Sequence, residues 1–156
     1  MAFAVDINLQ RLLVTSCSPA VVFSLLADVP RSAAHFPRVD RLVDLGGKAY
    51  RWEMEKIGIG GYTLQQTVYA CQYREDATTG QVVWTPVEGV GNAAVEGEWI
   101  VAPNENGSTV RLNTRGRLMV DFPAFLQFAL VPLVQMEFTG MVDRYIDNIE
   151  KTLSTL

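Results

Sequence analysis

Over residues 39–121 apolar side chains recur at every second position. Tyr50, Trp52 and Met54 alternate with Arg51, Glu53 and Glu55, and later Val110, Leu112, Leu118 and Val120 alternate with Arg111, Asn113, Arg115 and Arg117. A period of two puts alternate side chains on opposite faces of a strand, so the pattern predicts an antiparallel sheet with one packed and one wet face. Turn signals at 46–47, 58–61, 75–80, 88–92 and 104–107 divide this stretch into about six strands joined by hairpins. Ahead of it, Val5, Ile7 and Leu9 alternate within 3–15 and predict an opening strand. Ser18-Pro19 then supplies an N-cap and a proline for the first helical position, and a second short helix is expected over 30–35, stopped by Pro37. The period changes after Asp121. Val142, Tyr145, Ile146, Ile149 and Leu153 fall at helical spacing opposite Asp143, Arg144, Asp147, Glu150 and Lys151, which predicts a long closing helix, kinked or split at Pro132.

Hairpin arithmetic extends the reading to registers. With Asn106-Gly107 as a two-residue loop, Trp99 opposes Thr114, Val101 opposes Leu112, Glu98 opposes Arg115 and Glu96 opposes Arg117. A turn around Ile59 sets Trp52 near Gln66 and Met54 near Leu64. The parity assigns Tyr50, Trp52, Met54, Tyr62, Leu64, Trp99 and Leu112 to the inner face, with Gln66 and Thr114 as polar groups among them. Tyr145 faces them from the helix, and Phe125, Phe128 and Met136 are expected to close the space from that side. Arg51, Glu53, Glu55, Glu96, Glu98, Arg111, Arg115 and Arg117 are expected on the solvent side.

Composition narrows the partners. The 156 residues suit one domain spanning 1–156, with 49% hydrophobic residues, too many for disorder. Thirteen Lys and Arg against 17 Asp and Glu give a net charge of −4, and the pI is near 5.0, which argues against nucleic acid as a partner. Mean hydropathy is +0.13, yet the apolar run over 122–134 is too short to span a bilayer and contains two prolines and Gln127. The first residues lack a basic segment followed by an unbroken apolar one, so a cytoplasmic protein is expected. Two cysteines, Cys17 and Cys71, are too few for a disulfide framework or a thiolate zinc site, and one histidine excludes sites that need two. No metal or cofactor is called for.

Other chemistry-bearing residues have simpler explanations. His35 fits a helix-terminal contact better than a general base, since no orienting carboxylate accompanies it. Ser18 is explained as a cap, no Gly-x-Ser-x-Gly surrounds Ser16 or Ser18, and the glycines do not form a phosphate-binding pattern.

The order of strand, two short helices, six strands and long helix, with SCSPAVVFSLLADV near the start and MVDRYIDNIEKTL at the close, resembles the START-like helix-grip superfamily, also called SRPBCC. That superfamily includes polyketide cyclase/dehydrase-like proteins and the birch-pollen-allergen group. The resemblance implies an α+β helix-grip fold in which a curved antiparallel sheet of about seven strands wraps around a long C-terminal helix. It also implies a cavity between them for an apolar small molecule such as a lipid, quinone or polyketide. Ring-hydroxylating oxygenase relatives need two histidines for iron, which this chain lacks. Three functions stay open on the sequence: a binding protein for an apolar ligand, a polyketide aromatase/cyclase-type enzyme using the same cavity, and a protein-interaction module. Against the third, no exposed apolar stripe is expected. Whether the inward residues wall a cavity or only fill a solid core is equally open.

Overall fold

The computed structural model describes residues 3–59 and 62–156, excepting the side chains of 57–59 and 62–65. The chain opens with β1 (Phe3–Thr15), followed by α1 (Pro19–Ala27) and α2 (Val29–Ala33). Then come β2 (Val39–Gly46), β3 (Ala49–Met54), β4 (Ile57–Ile59), β5 (Tyr62–Gln65), β6 (Val68–Asp76), β7 (Gln81–Pro86), β8 (Ala93–Asn104) and β9 (Gly107–Val120). A 3-10 turn, Ala124–Leu126, leads into α3 (Gln127–Leu153). Seven strands form one antiparallel sheet in the order β1-β9-β8-β7-β6-β3-β2, while β4 and β5 make a separate ribbon. This is the α+β helix-grip architecture.

Local sequence chemistry explains the short helices. The Ser18 side chain accepts a hydrogen bond from the Val21 amide at 3.4 Å with Pro19 in the first turn, and Asp28 caps α2 by accepting from the Arg31 amide at 3.2 Å. Between β2 and β3, Gly47 and Lys48 both adopt positive φ, the geometry of a hairpin turn whose twist matches the flanking strands.

Two registers differ from the sequence arithmetic. In the β8–β9 hairpin Asn104 pairs with Gly107, so the loop is Glu105-Asn106, with the Asn104 Oδ1 accepting from the Asn106 amide at 2.8 Å. Trp99 therefore opposes Leu112, and Glu96 opposes Arg115 at 3.4 Å. Arg117 turns instead to Asp6 on β1 at 3.0 Å, and Glu98 accepts from Asn113. Each strand position has moved by two partners, an even shift that leaves every side chain on its assigned face. The second difference is larger. Trp52 pairs with Tyr69 rather than Gln66, because the 57–65 segment leaves the main sheet to form its own ribbon and β3 passes directly to β6. None of the eight charged residues assigned to the outer face is buried.

α3 runs unbroken through Pro132. Its buried stripe is Leu130, Val134, Phe138, Met141, Val142, Tyr145, Ile149 and Leu153, which covers the apolar face of the sheet. Residues 124–153 are long and apolar enough to cross a membrane by length and composition, yet this stripe makes them the core helix of the domain. At the β1 edge, the Gln135 side chain donates to the Asp6 carbonyl at 2.9 Å and Arg11 pairs with Asp143.

Gly97 shows how closely the sheet face is filled. It lies opposite Trp84, and a Cβ built there would come within 2.6 Å of the Trp84 ring and 2.4 Å of the Asn113 carbonyl oxygen. Gly97→Ala must displace the indole or the strand and should cost ~1 to 3 kcal/mol of stability, typical of overpacking. Urea unfolding measures this, and an unchanged midpoint would show that the ring has room to move.

Candidate functional site

Between the sheet face and α3 lies a partly enclosed cavity into which the centre of a water molecule can move over about 50 Å³. That is several times the roughly 10 to 15 Å³ a single water needs. The space is not a fully solid core, and as it stands it accommodates a molecule of about one ring. A broader groove of about 820 Å³ beside α1 and the β6–β7 turn is open to solvent and gathers no comparable set of groups. The more enclosed space is the better candidate because desolvation strengthens every polar contact made within it.

The cavity is lined from four directions. α3 contributes Phe138, Val142 and Tyr145, the short helices and the turn after them Leu26, Val29, Ser32 and Phe36. The strands supply Trp52 from β3, Tyr69 and Tyr73 from β6, Val82 and Trp84 from β7, Val95 and Trp99 from β8, and Leu112 and Thr114 from β9. Half of these residues are aromatic. Trp52 stacks on Tyr69 with ring planes 10° apart, Phe36 meets Trp52 and Tyr145 edge-on or tilted at 5.8 and 5.0 Å, and Trp99 meets Tyr145 at 5.7 Å. Such ring pairs add to the area they bury.

The polar groups in this wall are all uncharged at neutral pH. Ser32 Oγ and the Tyr145 hydroxyl share a short hydrogen bond across 113 residues of sequence. The Trp52 indole donates to the Tyr73 hydroxyl at 3.0 Å, and the Thr114 hydroxyl donates at 3.4 Å to the Glu96 carbonyl. Burial pushes Tyr145 up to about 12, with hydrogen bonding to Ser32 and Trp99 pulling the other way. Burial likewise holds Tyr69 and Tyr73 well above the ordinary phenol value, reinforced for both by Cys71 and Tyr145, and pushes the Cys71 thiol up to about 12. No Lys, Arg, His, Asp or Glu lines the cavity among the described residues.

Of the residues singled out in the sequence, Trp52, Trp99, Leu112, Thr114 and Tyr145 line this space. Met54 is buried in the core beside it without lining it, and Tyr50 is half-buried, meeting Tyr73 edge-on farther along β3. Gln66 is partnered by protein, donating to the Met54 carbonyl at 3.2 Å while its own backbone carbonyl accepts from Asn92. The side chains of Tyr62 and Leu64 lie outside the described residues.

The expected closure by Phe125, Phe128 and Met136 is not found. They are 79%, 96% and 65% exposed. Phe128 and Met136 each stand two residues from a buried member of the α3 stripe, Leu130 and Val134, which is about 200° around the helix. Phe125 falls in the 3-10 turn before it. With exposed Pro132 these side chains form an apolar outer stripe, so the expectation of none is also corrected.

Sequence reasoning missed Tyr69, Tyr73, Val82, Trp84 and Val95. The same alternation would have placed them, had it been carried across β6, β7 and β8. Ser32 left no such signal, since only the packing of α2 against α3 brings it to Tyr145. His35 makes a helix-end contact, its Nδ1 at 2.9 Å from the Arg31 carbonyl and its Nε2 at 2.7 Å from Thr152 Oγ1.

Residues 11–154 match the profile of the family described as polyketide cyclase / dehydrase and lipid transport. The chain belongs to that family. No curated protein sequence matches it. Among solved structures it is similar to TTHA0849 from Thermus thermophilus, with 18% identity, a TM-score of 0.68 and coverage of 96% of this chain and 97% of that one. A START superfamily protein from Mycobacterium smegmatis gives 13% identity, a TM-score of 0.65 and coverage of 95% and 97%. The ZhuI aromatase/cyclase from Streptomyces sp. R1128 gives 11%, 0.59, 96% and 94%. At these identities the likeness concerns the fold, and function rests on the site.

The tyrosines make the cavity testable by pH. The folded-state values of Tyr69, Tyr73 and Tyr145 lie above the ordinary 10, so the unfolded chain releases these protons first. The Tyr145 contribution is whole below pH 10 and is lost as pH rises through about 12, worth about 3 kcal/mol. A titration of tyrosinate absorbance should find three phenols that ionise only as circular dichroism reports unfolding. Ionisation of all five near pH 10 in folded protein would place them in water.

Proposed function

We propose that this family member binds an uncharged, apolar small molecule in the cavity between the sheet and α3. The observation that carries the reading is a partly enclosed space, half of whose lining residues are aromatic, without a single charged lining group among the described residues. A charged ligand there would lose its hydration and gain no counter-ion. Trp52, Trp99 and Leu112 supply apolar contact, while Thr114, Tyr145 and Ser32 supply hydroxyls that orient the guest. The space takes a molecule of about one ring without rearrangement, and a longer lipid or polyketide requires side chains to move.

The similarity to an aromatase/cyclase keeps an enzymatic reading in view, but the groups present favour binding. Proton transfer at neutral pH works best with a group titrating nearby, whereas Tyr145 is pushed up to about 12. The hydroxyls are thus donors and acceptors of hydrogen bonds, and aromatic packing does the holding.

Native mass spectrometry of purified protein, paired with organic extraction, tests the proposal. A removable mass excess that reappears in the extract as an uncharged apolar compound is expected. Val95→Phe, which grows a ring from the sheet into the cavity, should remove that excess while leaving the circular dichroism spectrum intact. Bare protein mass together with no saturable uptake of small aromatic compounds would overturn the reading.

A further inference from the structure

The first half of α3 is apolar on two sides. A helix that packs against a sheet needs one covered face, and the opposite side is ordinarily polar. Here residues 122–136 carry no charged side chain, and the 18-residue window that makes this helix apolar enough to cross a membrane is only 28% buried. Phe128, Pro132, Met136 and Gly140 follow one another at intervals of four along the side away from the sheet, all exposed, with Phe125 just ahead of them. Phe125, Phe128 and Met136 are more exposed than any other large apolar side chain among the described residues. Single exposed apolar side chains are ordinary on a protein surface, whereas a contiguous row marks a place of contact.

The row ends in cations. Arg144 holds the next place in it and, with Arg38, Pro37, Met136 and Gly140, lines one cleft of about 190 Å³. Arg38 pairs with Glu137 at 3.2 Å and donates to the carbonyl of exposed Lys56 at 3.3 Å, while Arg144 has no ion pair among the described residues. Farther along the same side the helix turns acidic, with Asp143, Asp147 and Glu150 exposed.

We infer that this row docks the protein on the surface of a phospholipid bilayer, with Phe125 and Phe128 entering at the level of the acyl chains and Arg144 meeting lipid phosphates. The helix goes in by its first turns, and the acidic side chains beyond Gly140 stay in water. Aromatic and apolar side chains beside a long cation suit the boundary between headgroups and chains, since the cation reaches back to the phosphates. Area argues against a second copy of the chain as the cover. Taking ~200 Å² for a large side chain, the row offers roughly 500 Å² of apolar surface, short of the ~800 Å² that each partner in a stable complex buries. A bilayer sets no such threshold, because its affinity scales with the apolar area inserted.

Sedimentation with sucrose-filled vesicles of phosphatidylcholine and phosphatidylglycerol in equal parts is the experiment. The protein should pellet with the vesicles and be monomeric by sedimentation equilibrium in their absence. Phe125→Asp and Phe128→Asp should each weaken vesicle binding roughly tenfold or more, the loss expected when an inserted ring is replaced by a charge. Both should melt like the parent, since these rings are exposed. Arg144→Gln should weaken binding about fivefold, the scale of one cation at an anionic surface. Leu12→Asp, which places the same charge on an exposed β1 side chain, should bind like the parent. So should Val95→Phe, which blocks the cavity and so separates docking on the row from uptake of lipid into the interior.

A parent protein that stays in the supernatant, or Phe125→Asp and Phe128→Asp that bind like it, would overturn the inference. So would equal losses in Leu12→Asp and Phe128→Asp, which would trace the effect to charge rather than to the row. A dimer in solution that Phe128→Asp dissociates would assign the row to a second copy instead. Binding lost in Val95→Phe alone would put the lipid in the cavity.

Discussion

Tyr145 is the point at which the fold closes on itself. Its ring is buried between Phe36 and Trp99, and its hydroxyl reaches Ser32, so one side chain ties α3 to the sheet and to the short helices at once. The helix and the sheet each carry an apolar face that must be covered, and they cover one another. The tie also sets a limit on packing. Large rings from several elements meet around a bulky phenol, and their shapes do not tile completely, which leaves the cavity beside it.

That incomplete tiling gives the interior two properties at once. Apolar contact dominates, while a few hydroxyls and indoles stand in a medium of low dielectric where a hydrogen bond counts for more than in water. Burial keeps the phenols and the Cys71 thiol protonated, so the interior presents dipoles rather than charges. Selectivity in such a space comes from shape and from the position of donors. The net negative charge of the chain belongs to its outer surface, where Glu96, Arg115, Asp6 and Arg117 face water in weak, screened pairs.

Much of the fold was legible because strand and helix periods differ. Alternation sorted Arg111, Leu112 and Thr114 onto their faces even though the β8–β9 pairing was shifted, since an even shift leaves the faces unchanged. Register itself was less legible. Glu105-Asn106 and Asn106-Gly107 are both plausible two-residue loops, and opposite charges found partners in either pairing. The β4–β5 ribbon was illegible in principle, because a local pattern cannot tell a strand within the main sheet from one that leaves it. In the site, Trp52, Trp99, Leu112, Thr114 and Tyr145 came from parity and helical phase. Phe125, Phe128 and Met136 were misplaced because hydrophobicity was allowed to outweigh phase. Ser32 depends on a contact 113 residues away and carried no local sign.

The two outer strands of the sheet differ in how their unpaired backbone is guarded. β2 is short and irregular, with register shifts at both ends and acidic residues along it, features that discourage a second strand from aligning. β1 is 13 residues long, the kind of edge that invites another chain to add on. There the guard is α3, whose Gln135 occupies the Asp6 carbonyl and whose Asp143 holds Arg11 across the strand. The closing helix is thus also a shield against β-sheet aggregation. Resistance to self-association is therefore coupled to the docking of α3, and a lesion that loosens its middle turns, from Gln135 to Asp143, uncovers the long β1 edge before the central strands lose a hydrogen bond.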